Sequence, residues 1–339
     1  MLLLLVPPGK AAEFRFRLHH PLPPAAPAHW SMLEPWSARI EAESGNRISI
    51  SVHASMQLGG QAPQLLNQVR DGVVDIIWTL TGYTPGRFPS LEVFELPALM
   101  AHPAVMNRAI ADFIERHPDE FSDYKVIAGF VHAGQALHSR VAVRMSADLP
   151  GLKIRIPSRV SGWVVESMGA TPIGTPVSKV PELLSKGVID AALIPFEVVG
   201  SLQVDELVDY HIVLDLPGSD RIHTQVFMIA MNWDAYRSLP HDLRDVIDHN
   251  SGHGIAQWLA TTWVNNERPG IELAVESGEL IRLPRNDALA LRRKLDTEVT
   301  ARWVASMQEQ GLDGRAVLTE ARALIEQYTV RGAAGGEAE

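Results

Sequence analysis

The residue best suited to chemistry is Arg155, inside Gly151-Leu152-Lys153-Ile154-Arg155-Ile156-Pro157. The β-branched run predicts a short strand, and Pro157, which cannot donate to a ladder, predicts its end. Alternation puts Lys153 and Arg155 on one face and Leu152, Ile154 and Ile156 on the other. A guanidinium at the end of an apolar strand needs an anion, because burying it unpaired is very costly. Its planar five-donor fork suits a carboxylate through two parallel hydrogen bonds, which lysine cannot reproduce. Two partners meet that need: an Asp or Glu of the chain, forming a structural ion pair, or the carboxylate of a ligand.

Catalytic patterns are missing from the sequence. There is no cysteine among the 339 residues, which removes thiolate catalysis, disulfides and zinc–thiolate sites. The close histidine pairs, His19-His20 and His132/His138, lack the His-Glu-x-x-His spacing of a zinc site. There is no Gly-x-Ser-x-Gly elbow, no P-loop, and no Gly-x-Gly-x-x-Gly after a strand. No spacing nominates a nucleophile or base, so neither catalytic residue, metal nor cofactor is expected. An α/β enzyme is the weakest reading, and a sensor module feeding a signalling receptor is a second alternative.

Composition narrows the partners. The net charge of −10 argues against nucleic acid and anionic membrane, so any anion site must be local. With 46% hydrophobic and 21% charged residues, the chain reads as an ordinary globular protein with room for two lobes. No run reaches the 18 apolar residues of a membrane span, so membrane insertion is not expected. Residues 1–12, with Met1-Leu2-Leu3-Leu4-Leu5-Val6 and Ala11-Ala12, read as the tail of a signal peptide. That points to the periplasm.

Around the arginine strand, further segments fall in a familiar order. They are Arg47-Ile48-Ser49-Ile50, Met56-Gln57-Leu58-Gly59-Gly60, Val69-Arg70-Asp71-Gly72-Val73-Val74-Asp75-Ile76 and Phe94-Glu95-Leu96-Pro97. Downstream come Met168-Gly169-Ala170-Thr171-Pro172-Ile173, Val180-Pro181-Glu182-Leu183-Leu184 and Lys186-Gly187-Val188-Ile189-Asp190-Ala191-Ala192. Met231-Asn232, Tyr236, Leu239-Pro240 and Asn250-Ser251-Gly252 complete the series. Together they resemble the periplasmic substrate-binding proteins of TRAP transporters over almost the whole chain. That resemblance implies a two-lobed α/β periplasmic-binding-protein fold with a long hinge-spanning helix. It also implies an organic acid held between the lobes and delivery to TRAP membrane subunits encoded elsewhere.

Strands and helices alternate with short Gly- or Pro-marked connections, as βαβ units and largely parallel sheets require. Strands are expected at 14–18, 48–53, 74–78, 125–131 and 189–194, and helices at 29–44, 63–71 and 161–168. Leu239 to about Asn266 suits the helix that crosses both lobes, and the last third reads as surface helices. The expected lobes are 13–134 plus 225–255 and 135–224 plus 256–330, with a disordered tail at 331–339.

Ligands of open α/β sheets lie beyond the carboxyl ends of strands, so the residues following each strand are the candidates. His19 or His20 fills a polar role in the resembled family, unless both are surface histidines. Trp78 and Tyr83 lie where the family places ligand contacts, with Leu80 where sialic-acid-type members carry an acid. An aromatic wall suits an aromatic or apolar acid better than a sugar acid. A tryptophan at a strand end such as Trp78 is more often core than ligand platform. Gln135 stands where many members have a second arginine, which favours a ligand with one carboxylate. A carbonyl or hydroxyl of that ligand would then meet Gln135 or His132. Ser158 is a second donor for the carboxylate at Arg155. Ile194 stands where many members carry asparagine, which leaves Phe196 and Glu197 as replacements. Glu197 would meet a ligand donor, bridge a cation, or pair with Arg155. His223, Thr224 and Gln225 supply a last polar contact.

Overall fold

The computed structural model describes residues 12–216 and 218–335. Apart from Ala12, the expected leader lies outside them. Among the described residues eleven strands form two sheets, of five and six strands. In chain order the strands are β1 (Phe14–His19), β2 (Ile48–His53), β3 (Ile76–Leu80), β4 (Lys125–Val131) and β5 (Ala136–Ser139). Then follow β6 (Lys153–Ile156), β7 (Thr171–Gly174), β8 (Ala191–Ile194), β9 (Tyr210–Leu214), β10 (Val226–Met231) and β11 (Glu279–Leu283). The helices are α1 (Glu34–Glu43), α2 (Leu65–Arg70), α3 (Pro103–Arg116), α4 (Arg159–Ser167) and α5 (Val180–Ser185). They continue with α6 (Trp233–Arg237), α7 (His241–His249), α8 (His253–Ser277), α9 (Arg285–Glu309) and α10 (Gly314–Gly335).

The first sheet runs β2-β1-β3-β10-β4 and the second β11-β9-β5-β8-β6-β7. Pairing is parallel except around β10 in the first sheet and β5 in the second. These two strands follow a crossing of the chain from one sheet to the other, so they enter their sheets from the opposite end. The crossings also touch each other. The Gln135 amide donates to the His223 carbonyl at 2.7 Å, and Ile222 returns a bond to the Gln135 carbonyl at 2.9 Å.

The long helix differs from expectation. It is broken into α7 and α8 at Gly252, whose φ of 51° and ψ of −124° suit glycine. The freed Gly252 amide donates to the Ile127 carbonyl at 2.7 Å, which ties the break to β4. Beyond it, α8 passes through Pro269 to Ser277 and packs on β4 of the first sheet and β11 of the second. Gly270 lets the helix approach the second sheet closely, since a Cβ there would lie 2.1 Å from the Phe196 carbonyl oxygen. The last third is also less superficial than its composition suggests. α9 buries Leu291, Leu295, Val299, Trp303 and Met307 in one stripe, and α10 packs on α3. The tail expected at 331–339 is helical as far as Gly335, and 336–339 lie outside the described residues.

Candidate functional site

β6 is an inner strand, paired with β7 and β8, and its arginine is held by both neighbours. Arg155 Nε donates to the Thr175 carbonyl at 2.9 Å and Nη1 to the Leu193 carbonyl at 3.1 Å. These bonds aim the guanidinium and leave Nη2 buried without a partner. Arg155 is 1% exposed, and among the described residues it forms no ion pair. The structural-ion-pair reading therefore fails. Burial lowers its pKa, and the nearby Tyr83 phenol works against that shift.

Arg155 lines a narrow cavity between the two sheets. From the first sheet come Trp78 and Leu80 of β3 and Phe227 of β10, and α8 contributes Trp263. Three rings stack into a wall: Trp78 on Phe227 at 5.3 Å between centroids, and Phe227 on Trp263 at 5.5 Å. Ile194, Pro195 and Glu197 come from the end of β8, and Gln135 and Gln225 from the two crossings. Gln135 Nε2 donates to Gln225 Oε1 at 3.0 Å, which leaves Gln135 Oε1 and Gln225 Nε2 unpartnered. The indole nitrogens of Trp78 and Trp263 and both oxygens of Glu197 are likewise buried and unpartnered. Buried polar atoms are nearly always hydrogen-bonded, so such a concentration around one cavity makes it the candidate site.

Glu197 does not reach Arg155; its carboxyl lies beside that of Glu267. Burial first, and then the Glu267 charge, push its pKa well above the ordinary carboxylate range. Glu267 is held by Arg221 at 2.6 Å and by the Phe196 amide at 3.2 Å. The cavity thus carries a guanidinium at Arg155 and, apart from it, the Glu197 carboxyl, whose charged form burial disfavours.

The rims of the cavity are fastened together. The Tyr83 hydroxyl accepts from the Val177 amide at 3.1 Å, and Arg159 Nη2 pairs with Glu92 at 2.6 Å. Ser158 donates to Glu95 at 2.7 Å and also caps α4. Glu95 further accepts from the Val226 amide at 3.3 Å, and burial raises its pKa to about 8. Gly82 lies against Ser158, where a Cβ would come within 2.4 Å of the serine Cβ.

Of the residues nominated from sequence, Arg155, Trp78, Tyr83, Gln135, Glu197 and Gln225 line this one cavity. The others do not line it. His19 is held by Gln68 at 2.9 Å and accepts from the Leu58 amide at 3.3 Å. His20 bonds His29 at 2.8 Å and packs behind Trp78; burial and the charge of His29 lower its pKa to about 3. His132 accepts from the Gly134 amide at 2.7 Å and packs against Phe227 and Trp263, so it supports the wall from behind. Ser158 serves Glu95 and the cap. Phe196 is occupied by the Arg221 guanidinium at 4.8 Å and the edge of His138 at 5.0 Å. Phe227, Trp263, Val177 and Val198 line the cavity unannounced by the sequence.

Comparison with known proteins agrees with this architecture. The family model of the bacterial extracellular solute-binding proteins, family 7, matches residues 18–306. A TRAP solute-binding protein from Rhodoferax ferrireducens T118, solved with copurified benzoate, is 38% identical with a TM-score of 0.90, covering 94% of this chain and 99% of its own. A marine metagenome TRAP solute-binding protein specific for aromatic acid ligands, solved with metahydroxyphenylacetate, is 38% identical with a TM-score of 0.89, covering 93% and 99%. The outer membrane transporter protein TsaT of Comamonas testosteroni is 22% identical over 315 residues, 90% of each chain. The chain belongs to family 7 of the bacterial extracellular solute-binding proteins, as a solute receptor of the TRAP type.

Proposed function

We propose that the chain is a periplasmic receptor for aromatic monocarboxylates, which it delivers to TRAP membrane subunits. The observation that carries this reading is Arg155, buried without a carboxylate partner in a cavity walled by three stacked rings. A guanidinium at one end and rings along the side fit a carboxylate attached to a flat ring. Gln135 in place of a second arginine favours one carboxylate over two. Similar proteins solved with benzoate and metahydroxyphenylacetate support the same class. Closure of the lobes follows from a ligand that meets both walls only when they come together. No described helix is long and apolar enough to cross a membrane, so transport would need the separate membrane subunits.

The test is a thermal-shift panel of aromatic, aliphatic, keto and sugar acids. An aromatic acid at a hundred times its Kd should add about 2.7 kcal/mol of stability, a shift of a few degrees. Stabilisation by sugar or short aliphatic acids, with none by aromatic ones, would overturn the assignment.

A further inference from the structure

The aromatic-acid reading leaves part of the cavity unused, and this inference rests on that reading. A bare benzoate offers two acceptor oxygens and no donor. Its carboxylate answers Arg155, whose Nη2 is unpartnered, and its ring answers the stacked wall. Nothing in it answers Glu197, which is 5% exposed, lines the same cavity and has only the Glu267 carboxyl beside it, with no N–H donor on either oxygen. Gln135 Oε1 is a second unmatched acceptor on the cavity.

The geometry points to Glu197 as a specificity residue that selects aromatic acids bearing a hydroxyl or amine on the ring, with Gln135 Oε1 as its auxiliary acceptor. The Arg221–Glu267 pair holds the neighbouring negative charge at 2.6 Å, and Glu267 has its own bond from the Phe196 amide. Glu197 therefore turns acceptor oxygens toward the cavity, and its carboxyl lies beside that of Glu267 rather than opposite a cation. A ring hydroxyl or amine can donate to these oxygens, whereas a plain or methoxy-substituted ring cannot. A site built to hydrogen-bond a hydroxyl discriminates strongly against an analogue lacking it, because its buried groups are then left unpaired.

The experiment measures affinities of the wild-type protein for benzoate, 3-hydroxybenzoate, 4-hydroxybenzoate, 3-aminobenzoate and 3-methoxybenzoate. At least one hydroxyl- or amine-bearing acid should bind about tenfold or more tighter than benzoate and 3-methoxybenzoate. Glu197→Gln should keep a preference, and Glu197→Met should reduce it to about threefold or less. A cooperative melt checks that each variant folds. If Glu197→Met does not fold, the wild-type ratio of 3-hydroxybenzoate to 3-methoxybenzoate still decides, because the methoxy group fills space without donating. Equal affinities for all the aromatic acids, or a preference that survives in Glu197→Met, would overturn the role of Glu197 and leave the aromatic-acid reading standing. No binding of any of these acids by the wild type would instead remove the aromatic-acid reading itself.

Discussion

One wall of the cavity is three stacked rings drawn from β3, β10 and α8. The other is a guanidinium, amides and a carboxyl drawn from the second sheet and the crossings. The ring wall gains energy from area and is tolerant of what it touches, provided the ligand is flat. The polar wall is unforgiving, since each of its groups costs free energy when it meets the wrong atom. On the proposed reading neither wall recognises an aromatic acid by itself, and the division places class selection on one side and discrimination within the class on the other.

Arg155→Ala should break the polar wall outright. Affinity for an aromatic acid should fall by about 2 to 5 kcal/mol, because a buried charge pair loses one partner. A calorimetric change under tenfold would remove Arg155 from the anchoring role.

Phe227→Ala takes the middle ring from the other wall. The expected loss is about 1 to 3 kcal/mol, similar for hydroxylated and plain acids, because stacking does not read substituents. A loss confined to one substituent class would show that the walls do not divide the work in this way.

The smallest effect concerns Glu95, where the walls meet. Its carboxyl has a pKa raised from 4.5 to about 8, so the folded state holds a proton that the unfolded chain releases. Its contribution to stability is present below about pH 4.5 and is lost as pH rises through 8. His132 and His223 act in the opposite sense. Burial lowers them from 6.5 to about 3 and about 4, so stability is lost as pH falls below 6.5. The melting temperature should therefore rise to a peak at about pH 7, where the unfolded histidines have lost their protons, and decline toward pH 8, and Glu95→Gln should flatten that decline. A wild-type melting temperature that climbs steadily from pH 6 to 8 would contradict it.

Much of the polar wall was legible because its residues violate local expectation. An arginine amid β-branched neighbours and a glutamine at a crossing stand out from their surroundings. Phe227 and Trp263 were silent for the converse reason. Each lies in an apolar run where one more ring resembles core, and only the tertiary fold stacks residues 78, 227 and 263. Ser158 was misread because two demands compete for one hydroxyl, the α4 cap and Glu95, which lies far away in sequence. The break at Gly252 left a faint sign in Asn250-Ser251-Gly252, but the helical period on either side hid it. β11 had a readable alternation and was masked by the helical composition around it.

Gly82 gives the fastened rims a further meaning. Its backbone is ordinary for any residue, so what resists a side chain there is the approach of Ser158, which follows β6 of the second sheet. If the receptor closes as proposed, bulk at position 82 would press on the balance between its open and closed forms rather than on the packing within either sheet. Because observed affinity scales with the fraction of molecules competent to close, one methyl group would act as a dial on sensitivity without altering a single ligand contact.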